Sequence, residues 1–246
     1  MALRRIKADF HVHTCLSPCS CLDMSPREVV SGAIRNGVDL IGVCDHNSAE
    51  NVLAVKKAGE RNGLMVLGGM EVASAEEAHI LVFFDDDDDL LRFQEFVYRH
   101  LAGRNDEHSF GLQVIADDED GVSGFCDRLL IGATSLTAES IVTRAREARG
   151  ESLVIAAHVD RESFSLIGQL GFIPPSLPLD AVEVAGPVAG IESRFPDCSR
   201  FPVVTGSDAH HPDDIGKRFT WLTVENGTIG EIKKALAGRD SRKAEC

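Results

Sequence analysis

Short apolar runs that end in polar residues recur along the chain, and stretches with helical spacing separate them. The runs are Ile6–Phe10, Leu40–Cys44, Leu64–Met70, Ile80–Phe84, Leu153–Ala157 and Pro202–Thr205. Continuous apolar runs between helices are typical of parallel strands that are covered on both faces. Over 246 residues, this alternation predicts a closed or partly closed α/β barrel, with a doubly wound open sheet as the alternative.

Helix-start signals support this alternation at three places. Ser25-Pro-Arg-Glu28 combines an N-cap serine, a first-turn proline and a glutamate three residues later, which predicts a helix. Thr137 is expected to begin a second helix that runs towards Arg149. A third helix is expected over about residues 228–237.

The segment from about residue 85 to about residue 132 interrupts the alternation. It begins with five aspartates, Asp85–Asp89, which we interpret as the negatively charged start of a helix. A small hairpin is expected between Gln113–Ile115 and Leu129–Ile131. The segment is too short to build its own core, so the prediction is a single domain over residues 1–246 with an inserted elaboration.

Composition and charge narrow the class of protein further. The chain has 39 acidic and 25 basic residues, a net charge of −14, which makes a nucleic-acid polymer or an anionic membrane an unlikely partner. No apolar stretch reaches the roughly 18–20 residues of a membrane span, and no signal peptide is evident. We therefore expect a cytoplasmic protein whose seven cysteines are reduced, and make no prediction of its oligomeric state.

Side chains that bind metals lie at the edges of the apolar runs. Six of the nine histidines do so, together with three carboxylates: His11, His13, His46, His79, His158, His210, Asp45, Glu71 and Asp208. Because the C-terminal ends of parallel strands meet at one mouth, these side chains are expected to converge. Imidazoles and carboxylates together suit zinc, manganese or iron rather than calcium, and a carboxylate such as Glu71 can bridge two ions.

The motifs around these residues resemble one known family. They are Asp9-Phe-His11-Val-His13-Thr, Cys44-Asp45-His46-Asn, Gly69-Met-Glu71-Val, Ala78-His79, Ala157-His158-Val-Asp-Arg161 and Gly206-Ser-Asp208-Ala-His210. In type and order they resemble the PHP (polymerase and histidinol phosphatase) family of metal-dependent phosphoesterases, over nearly the whole chain. The resemblance implies a distorted (β/α)7 barrel with up to three metal ions at its C-terminal mouth.

The resemblance also implies a ligand set for each ion. One ion would be held by His11, His13, Glu71 and Asp208, a second by Glu71, His79 and His158, and a third by His46, His210 and a residue of the loop after His13. Many family members have Ser-Asp-Gly in that loop, whereas here Ser17 is followed by Pro18. Asp23 is the expected substitute because it keeps an oxygen ligand, and Cys19 and Cys21 are alternatives if the third ion is zinc.

Further residues are candidates for catalytic roles. Arg161 is expected to contact a phosphate, and Asp160, His211 or a metal-bound water to protonate the leaving group. Asp45 is expected either to orient His13 or a metal-bound water, or to cap the following helix.

The resulting hypothesis is a metal-dependent phosphoesterase with two or three divalent ions (zinc, manganese or iron). It would hydrolyse a small phosphorylated monoester or diester, with a metal-bridging hydroxide as the nucleophile. Alternatives are a metallohydrolase of the amidohydrolase type, which acts on C–N or C–O bonds, and a non-catalytic metal-binding PHP module.

Overall fold

The apolar runs form a nine-stranded sheet in the computed structural model, which describes residues 2–246. The strands are β1 (Arg4–Val12), β2 (Leu40–Val43), β3 (Met65–Ala73), β4 (His79–Phe84), β5 (Val114–Ala116), β6 (Val122–Phe125), β7 (Ser152–Ala156), β8 (Ala181–Glu183), β9 (Val203–Val204), β10 (Thr220–Val224) and β11 (Lys243–Glu245). Their order in the sheet is β11-β10-β1-β2-β3-β4-β7-β8-β9, while β5 and β6 form a separate hairpin.

Helices connect most of these strands. They are α1 (Pro26–Arg35), α2 (Val52–Asn62), α3 (Asp87–His100), α4 (Glu107–Phe110), α5 (Ala138–Arg146), α6 (Leu166–Leu170), α7 (Ile191–Arg194) and α8 (Ile229–Leu236), with 3-10 turns at Pro196–Arg200 and Pro212–Asp214. Among the described helices, none is long and apolar enough to cross a membrane.

The direction of β4 differs from the prediction. β1, β2 and β3 are parallel to one another, as are β7, β8 and β9, but β4 runs antiparallel to both of its neighbours, β3 and β7. The link between β3 and β4 spans only residues 74–78, too few for the crossover that a parallel pair needs. The N-terminal end of β4 therefore lies at the same rim as the C-terminal end of β3.

The chain after β9 brings the two sides of the sheet together. The Thr205 amide donates to Oγ1 of Thr220 (2.9 Å), the first residue of β10. The Ala209 amide donates to the carbonyl of His11 (3.1 Å), and its carbonyl accepts from the amide of His13 (3.1 Å). These bonds leave the sheet nearly closed, so the predicted α/β barrel is confirmed.

The sheet separates two apolar layers. One lies between the strands and helices α1, α2, α3 and α5, and the other contains Phe10, Leu81, Phe83 and Ile155 together with residues of α8. Phe83 lies against two glycines, Gly42 and Gly69, and a Cβ at Gly69 would overlap both its ring and the Val82 carbonyl. Glycine in these strands thus makes room for the ring of Phe83.

The predicted helix starts agree with the structure. Ser25 is the N-cap of α1, although its side chain makes no capping bond. Thr137 caps α5 by accepting from the amide of Ser140 (3.1 Å), and this helix ends at Arg146, before the predicted Arg149. The third predicted helix is α8.

Within the elaboration, Asp86 caps α3 by accepting from the amide of Asp89 (2.9 Å), as the aspartate run predicts. The predicted partner strand of the hairpin is wrong, because β5 pairs with β6 and not with residues 129–131. Oδ1 of Asp117 accepts from the amides of Glu119 and Gly121 (2.9 and 2.8 Å). These bonds form a tight turn that joins β5 directly to β6.

Candidate metal centre

Eight of the nine predicted metal ligands meet at one rim of the barrel. His11 lies on β1, Glu71 on β3 and His79 on β4, and the others follow the ends of β1, β2, β7 and β9: His13, His46, His158, Asp208 and His210. His79 shares this rim although it begins its strand, because β4 is antiparallel. Asp23 is the predicted ligand that lies elsewhere.

An irregularity in β1 turns its histidines towards the centre. The register between β1 and β2 shifts between Asp9 and Val12. Phe10 belongs to the apolar layer beneath the site, and the next residue, His11, already faces the carboxylates of Glu71 and Asp208. A bulge that re-aims a side chain in this way is common beside active sites.

Donor atoms of four residues surround the point where the first ion is predicted. Nε2 of His11 and Nε2 of His13 are 3.2 Å apart, and Oδ1 of Asp208 lies 3.3 and 3.1 Å from them. The oxygens of Glu71 lie 3.4 Å from Nε2 of His11 and 3.5 Å from Nε2 of His13. Metal–ligand bonds of about 2.0–2.1 Å place tetrahedral donors about 3.3 Å apart. The donor set therefore fits a divalent ion.

Glu71 is the centre of the second predicted group. Its Oε1 lies 2.8 Å from Nδ1 of His79 and 3.2 Å from Nε2 of His158. Its Oε2 lies 2.9 Å from Nδ1 of His46, but no donor is aligned with it, and this buried oxygen makes no hydrogen bond. A buried carboxylate oxygen without a partner is costly, and a cation would satisfy it.

Electrostatics keep Glu71 ionised. Burial raises its pKa, but the charges of His79, His11 and His46 outweigh burial and bring the pKa well below its usual value. Burial also raises the pKa of Asp208, and His11 and His13 lower it to well below the ordinary range. Burial lowers the pKa of His13 to about 3, so this imidazole is neutral. Ionised carboxylates and a neutral imidazole are the forms that bind metals.

The third group differs from the prediction. Sγ of Cys19 lies 3.1 Å from Nε2 of His210, whereas Asp23 points to solvent. The loop turns here because the amide of Cys21 donates to the His210 carbonyl (2.9 Å) and the amide of Met24 donates to Cys21 (3.0 Å). This turn buries Met24 and leaves Asp23 exposed, and the Cys21 side chain packs against the apolar core. Cys19, not Asp23, is therefore beside the histidines.

The same contacts influence the Cys19 thiol. Burial raises its pKa, but hydrogen bonds with His210 and His46 outweigh burial and lower the pKa to about 7. The seven cysteines are all free thiols.

Asp45 acts on the site through a serine. Its Oδ1 accepts from Oγ of Ser17 (2.7 Å), and that hydroxyl in turn accepts from Nδ1 of His13 (2.9 Å). Asp45 does not cap a helix, since the N-cap of α2 is Asn51. The chain Asp45–Ser17–His13 fixes the imidazole so that Nε2 faces the other donors.

Two buried carboxylates that we had not predicted as site residues support the donors. Oε2 of Glu183 lies 2.9 Å from Nδ1 of His11, and it accepts from the amide of His158 (3.1 Å). Asp9 accepts from the amides of Ser207 and Gly216 (2.9 and 2.8 Å), which ties the loop that carries Asp208 to β1. A charged residue inside or at the end of an apolar run was the available sequence signal for both.

The side chains of the three residues predicted to assist catalysis have different surroundings. Nη1 of Arg161 donates to Oδ2 of Asp208 (2.6 Å) at the rim, and its side chain is exposed. The two oxygens of Asp160 accept from the amides of Ala185 and Gly186 (2.7 and 2.8 Å). His211 is exposed and lines a groove together with Asp23. Their role as leaving-group acids stays a prediction.

The nearly closed barrel and this rim of imidazoles and carboxylates define an α/β-barrel protein with a site for divalent metal ions. The model of the PHP domain family matches residues 9–125. This match confirms the resemblance drawn from the motifs of the chain. It supports a metal-dependent hydrolase.

Several proteins are similar to this chain in sequence or in structure. The chain is 24% identical over 275 residues to the uncharacterised protein YqxK of Bacillus subtilis (strain 168), covering 98% of this chain and 64% of that protein. It resembles the lesion-specific endonuclease PfuEndoQ of Pyrococcus furiosus with a TM-score of 0.73 and 20% identity, over 98% of this chain and 58% of that chain. The chain thus spans less than two thirds of both. A "putative metal-dependent phosphoesterase" of Bifidobacterium adolescentis matches with a TM-score of 0.60 and 17% identity, over 94% and 96%.

A further structural similarity corrects the prediction about nucleic-acid partners. An Endonuclease Q structure, with a TM-score of 0.71 to this chain and 20% identity, contains a 27-mer duplex substrate with an abasic lesion at the active site. The prediction that a nucleic-acid polymer is unlikely was therefore wrong. Net charge averages over the whole surface, whereas a phosphate responds to the local field, in which bound metal ions are the largest charges.

Proposed function

We propose that this protein is a metal-dependent phosphoesterase. The observation that carries the proposal is Glu71, a buried, ionised carboxylate with histidines against both of its oxygens and no hydrogen bond to Oε2. A carboxylate in this position joins two groups of ligands, as in two-metal hydrolytic sites. The match of residues 9–125 to the PHP domain family model supports the same reaction class.

The chain's own residues would hold two or three divalent ions and position the ester. Such ions, when bound, lower the pKa of water towards about 7 and offset the charge of the phosphate. Glu183 and the pair Asp45–Ser17 hold the imidazoles of His11 and His13 in place. Arg161 lies at the rim with an exposed guanidinium that Asp208 anchors, and it would contact the phosphate as it approaches.

The rim also has an aromatic surface for the leaving group. The ring of Phe164 is 50% exposed and stacks on the imidazole of His79, with centroids 5.0 Å apart and planes 20° apart. Its φ is 59°, which is costly for a bulky residue, and its carbonyl accepts from the His79 amide (2.9 Å). Beside a phosphate site, this ring would favour an ester with a flat leaving group, in a free nucleotide or within a nucleic acid.

The decisive experiment measures hydrolysis by the metal-loaded protein. The substrates are phosphomonoesters, phosphodiesters and a duplex oligonucleotide with an abasic site. We expect turnover of at least one substrate and a loss of about 10³-fold in Glu71→Gln, since removing metal catalysis costs several kcal/mol. The exposed Glu192→Gln is the matched control. Turnover of a cyclic amide with no phosphoester cleavage would instead establish the amidohydrolase alternative.

A further inference from the structure

Cys19 introduces sulfur into a cluster of nitrogen and oxygen donors. Its Sγ lies 3.1 Å from Nε2 of His210. Donor atoms of His13, His46 and His210 all lie within 4.8 Å of one another. The thiol therefore borders a group that already has the composition of a metal site.

The orientation of His210 leaves its Nε2 available to an ion. Nδ1 of His210 lies 2.8 Å from the Asp208 carbonyl, which can only accept, so Nδ1 carries the proton. Nε2 then presents a lone pair towards Sγ of Cys19. On the other side of the group, Oε2 of Glu71 lies 2.9 Å from Nδ1 of His46 without an aligned donor. Once Cys19 has lost its proton to a metal ion, its sulfur and Nε2 of His210 would present lone pairs to that ion.

The loop holds Cys19 in this position. The amide of Ser20 donates to the Ser17 carbonyl (2.9 Å), and the amide of Cys21 donates to the His210 carbonyl (2.9 Å). The hydroxyl of Ser20 also donates to the His210 carbonyl (3.2 Å). The residues that follow Cys19 are thus tied to the backbone of the histidine that its sulfur faces. Cys19 itself is exposed, which leaves a path for an ion from solvent.

We propose that Cys19 is a thiolate ligand of the third ion, together with His46 and His210, and that it makes this position selective for zinc over manganese. The proposal rests on the metal centre of the proposed function and assigns one of its ligands. Thiolate is a soft ligand that favours zinc, whereas carboxylate suits manganese. The other two groups contain only nitrogen and oxygen donors.

Cobalt(II) substitution tests the sulfur ligand directly. The metal-free protein is titrated with cobalt, and the absorption spectrum is recorded for the wild type, Cys19→Ser and Cys21→Ser. We expect a sulfur-to-cobalt charge-transfer band in the near ultraviolet for the wild type and the Cys21→Ser control, and its loss in Cys19→Ser. Visible d–d bands report bound cobalt independently of sulfur.

The outcomes separate this proposal from the proposed function. Visible bands without a charge-transfer band in the wild type would overturn the thiolate ligand and leave the metal centre intact. A charge-transfer band that persists in Cys19→Ser would also overturn it. A protein that binds no cobalt would refute both the ligand and the metal centre.

A competition measurement tests the selectivity. The dissociation constants of the third zinc ion and of the third manganese ion bound per protein are compared between the wild type and Cys19→Asp. We expect the preference for zinc to fall by roughly 10–100-fold, a loss typical of altered metal surroundings, and Cys21→Ser to retain it. An unchanged preference in Cys19→Asp overturns the selectivity. Because Cys19 is exposed on a loop, we expect the thermal melt of metal-free Cys19→Asp to match that of the metal-free wild type.

Discussion

Nδ1 of His11 lies 2.9 Å from Oε2 of Glu183, and both side chains are buried. The bond joins the first strand of the barrel to β8, 172 positions away, and leaves Nε2 of His11 facing the other donors. Gly206 makes the contact possible, because a Cβ there would overlap Oε1 of Glu183. A carboxylate behind a histidine in this way increases the basicity of the ligand and fixes its orientation.

Glu183→Gln should therefore weaken metal binding by about 10–100-fold while the fold is retained. The substitution keeps the size of the side chain and removes the negative charge behind His11. The metal content of the dialysed protein and the dissociation constant for zinc measure the effect. Glu192→Gln is the control, and an affinity equal to that of the wild type would contradict the proposed role of Glu183.

Ser17→Ala should also weaken metal binding, in this case through His13. The variant removes the hydroxyl that connects Asp45 to Nδ1 of His13 and leaves the imidazole free to rotate. We expect the metal affinity to fall by roughly tenfold or more. Ser109→Ala, an exposed position in α4, is the control. Equal zinc affinities of Ser17→Ala and the wild type would rule out this connection.

Removal of divalent metal should lower the Tm. Without cations, Glu71, Asp208 and Glu183 place negative charge in one buried region. A ligand at about 100 times its Kd stabilises the folded state by about 2.7 kcal/mol. Calorimetry with a chelator, and then with added zinc or manganese, measures the change. Glu71→Ala should show a smaller shift, and a wild-type Tm that is insensitive to both additions would refute the prediction.

Phe164→Ala should discriminate among substrates. Loss of the ring should raise KM for esters with a nucleobase or aryl leaving group by roughly 5–100-fold, because stacking contributes about 1–3 kcal/mol per base. Esters with small aliphatic groups should be affected much less. Phe172→Ala is the matched control, since Phe172 is also 50% exposed but lies after α6. An equal effect on both kinds of ester would contradict a role in stacking.

Acid stability should depend on Glu231. Hydrogen bonds from Arg242 and Lys234 and from the amide of Glu225 lower the pKa of Glu231 to about 2 from an ordinary value of 4.5. Because the folded-state pKa is lowered, its stabilisation is complete above pH 4.5 and is lost as the pH falls towards 2. Glu231→Gln should flatten the pH dependence of unfolding in this window, measured by circular dichroism. Glu192→Gln should not, and an unchanged acid profile of Glu231→Gln would exclude this contribution.

Much of the site could be predicted from the sequence because its donors occur beside apolar runs. Strands bring their ends to one rim, so His11, Glu71 and Asp208 could be expected to meet without knowledge of the distances. The direction of β4 was not evident from its apolar run, because such a run is compatible with either orientation. Asp45 could be expected to support His13, but the intervening Ser17 could not be anticipated.

The sequence also could not decide whether Asp23 or Cys19 faces the histidines. Both lie in one loop, and both have suitable donor atoms. The burial of Met24 and the bonds from the loop to the His210 backbone decide which of them faces the histidines. Those bonds join residues about 190 positions apart, and local sequence preferences carry no information about them.

The sequence by itself determined the kinds of donor, their places at the ends of apolar runs and the barrel that brings them together, because these depend on local periodicity and on the side chains' own chemistry. Only the tertiary structure decided that Glu183 supports His11, that two backbone amides engage the oxygens of Asp160, and that Cys19 faces His210. Each of these depends on packing between segments far apart in the chain, where differences of a few ångströms decide which atoms meet.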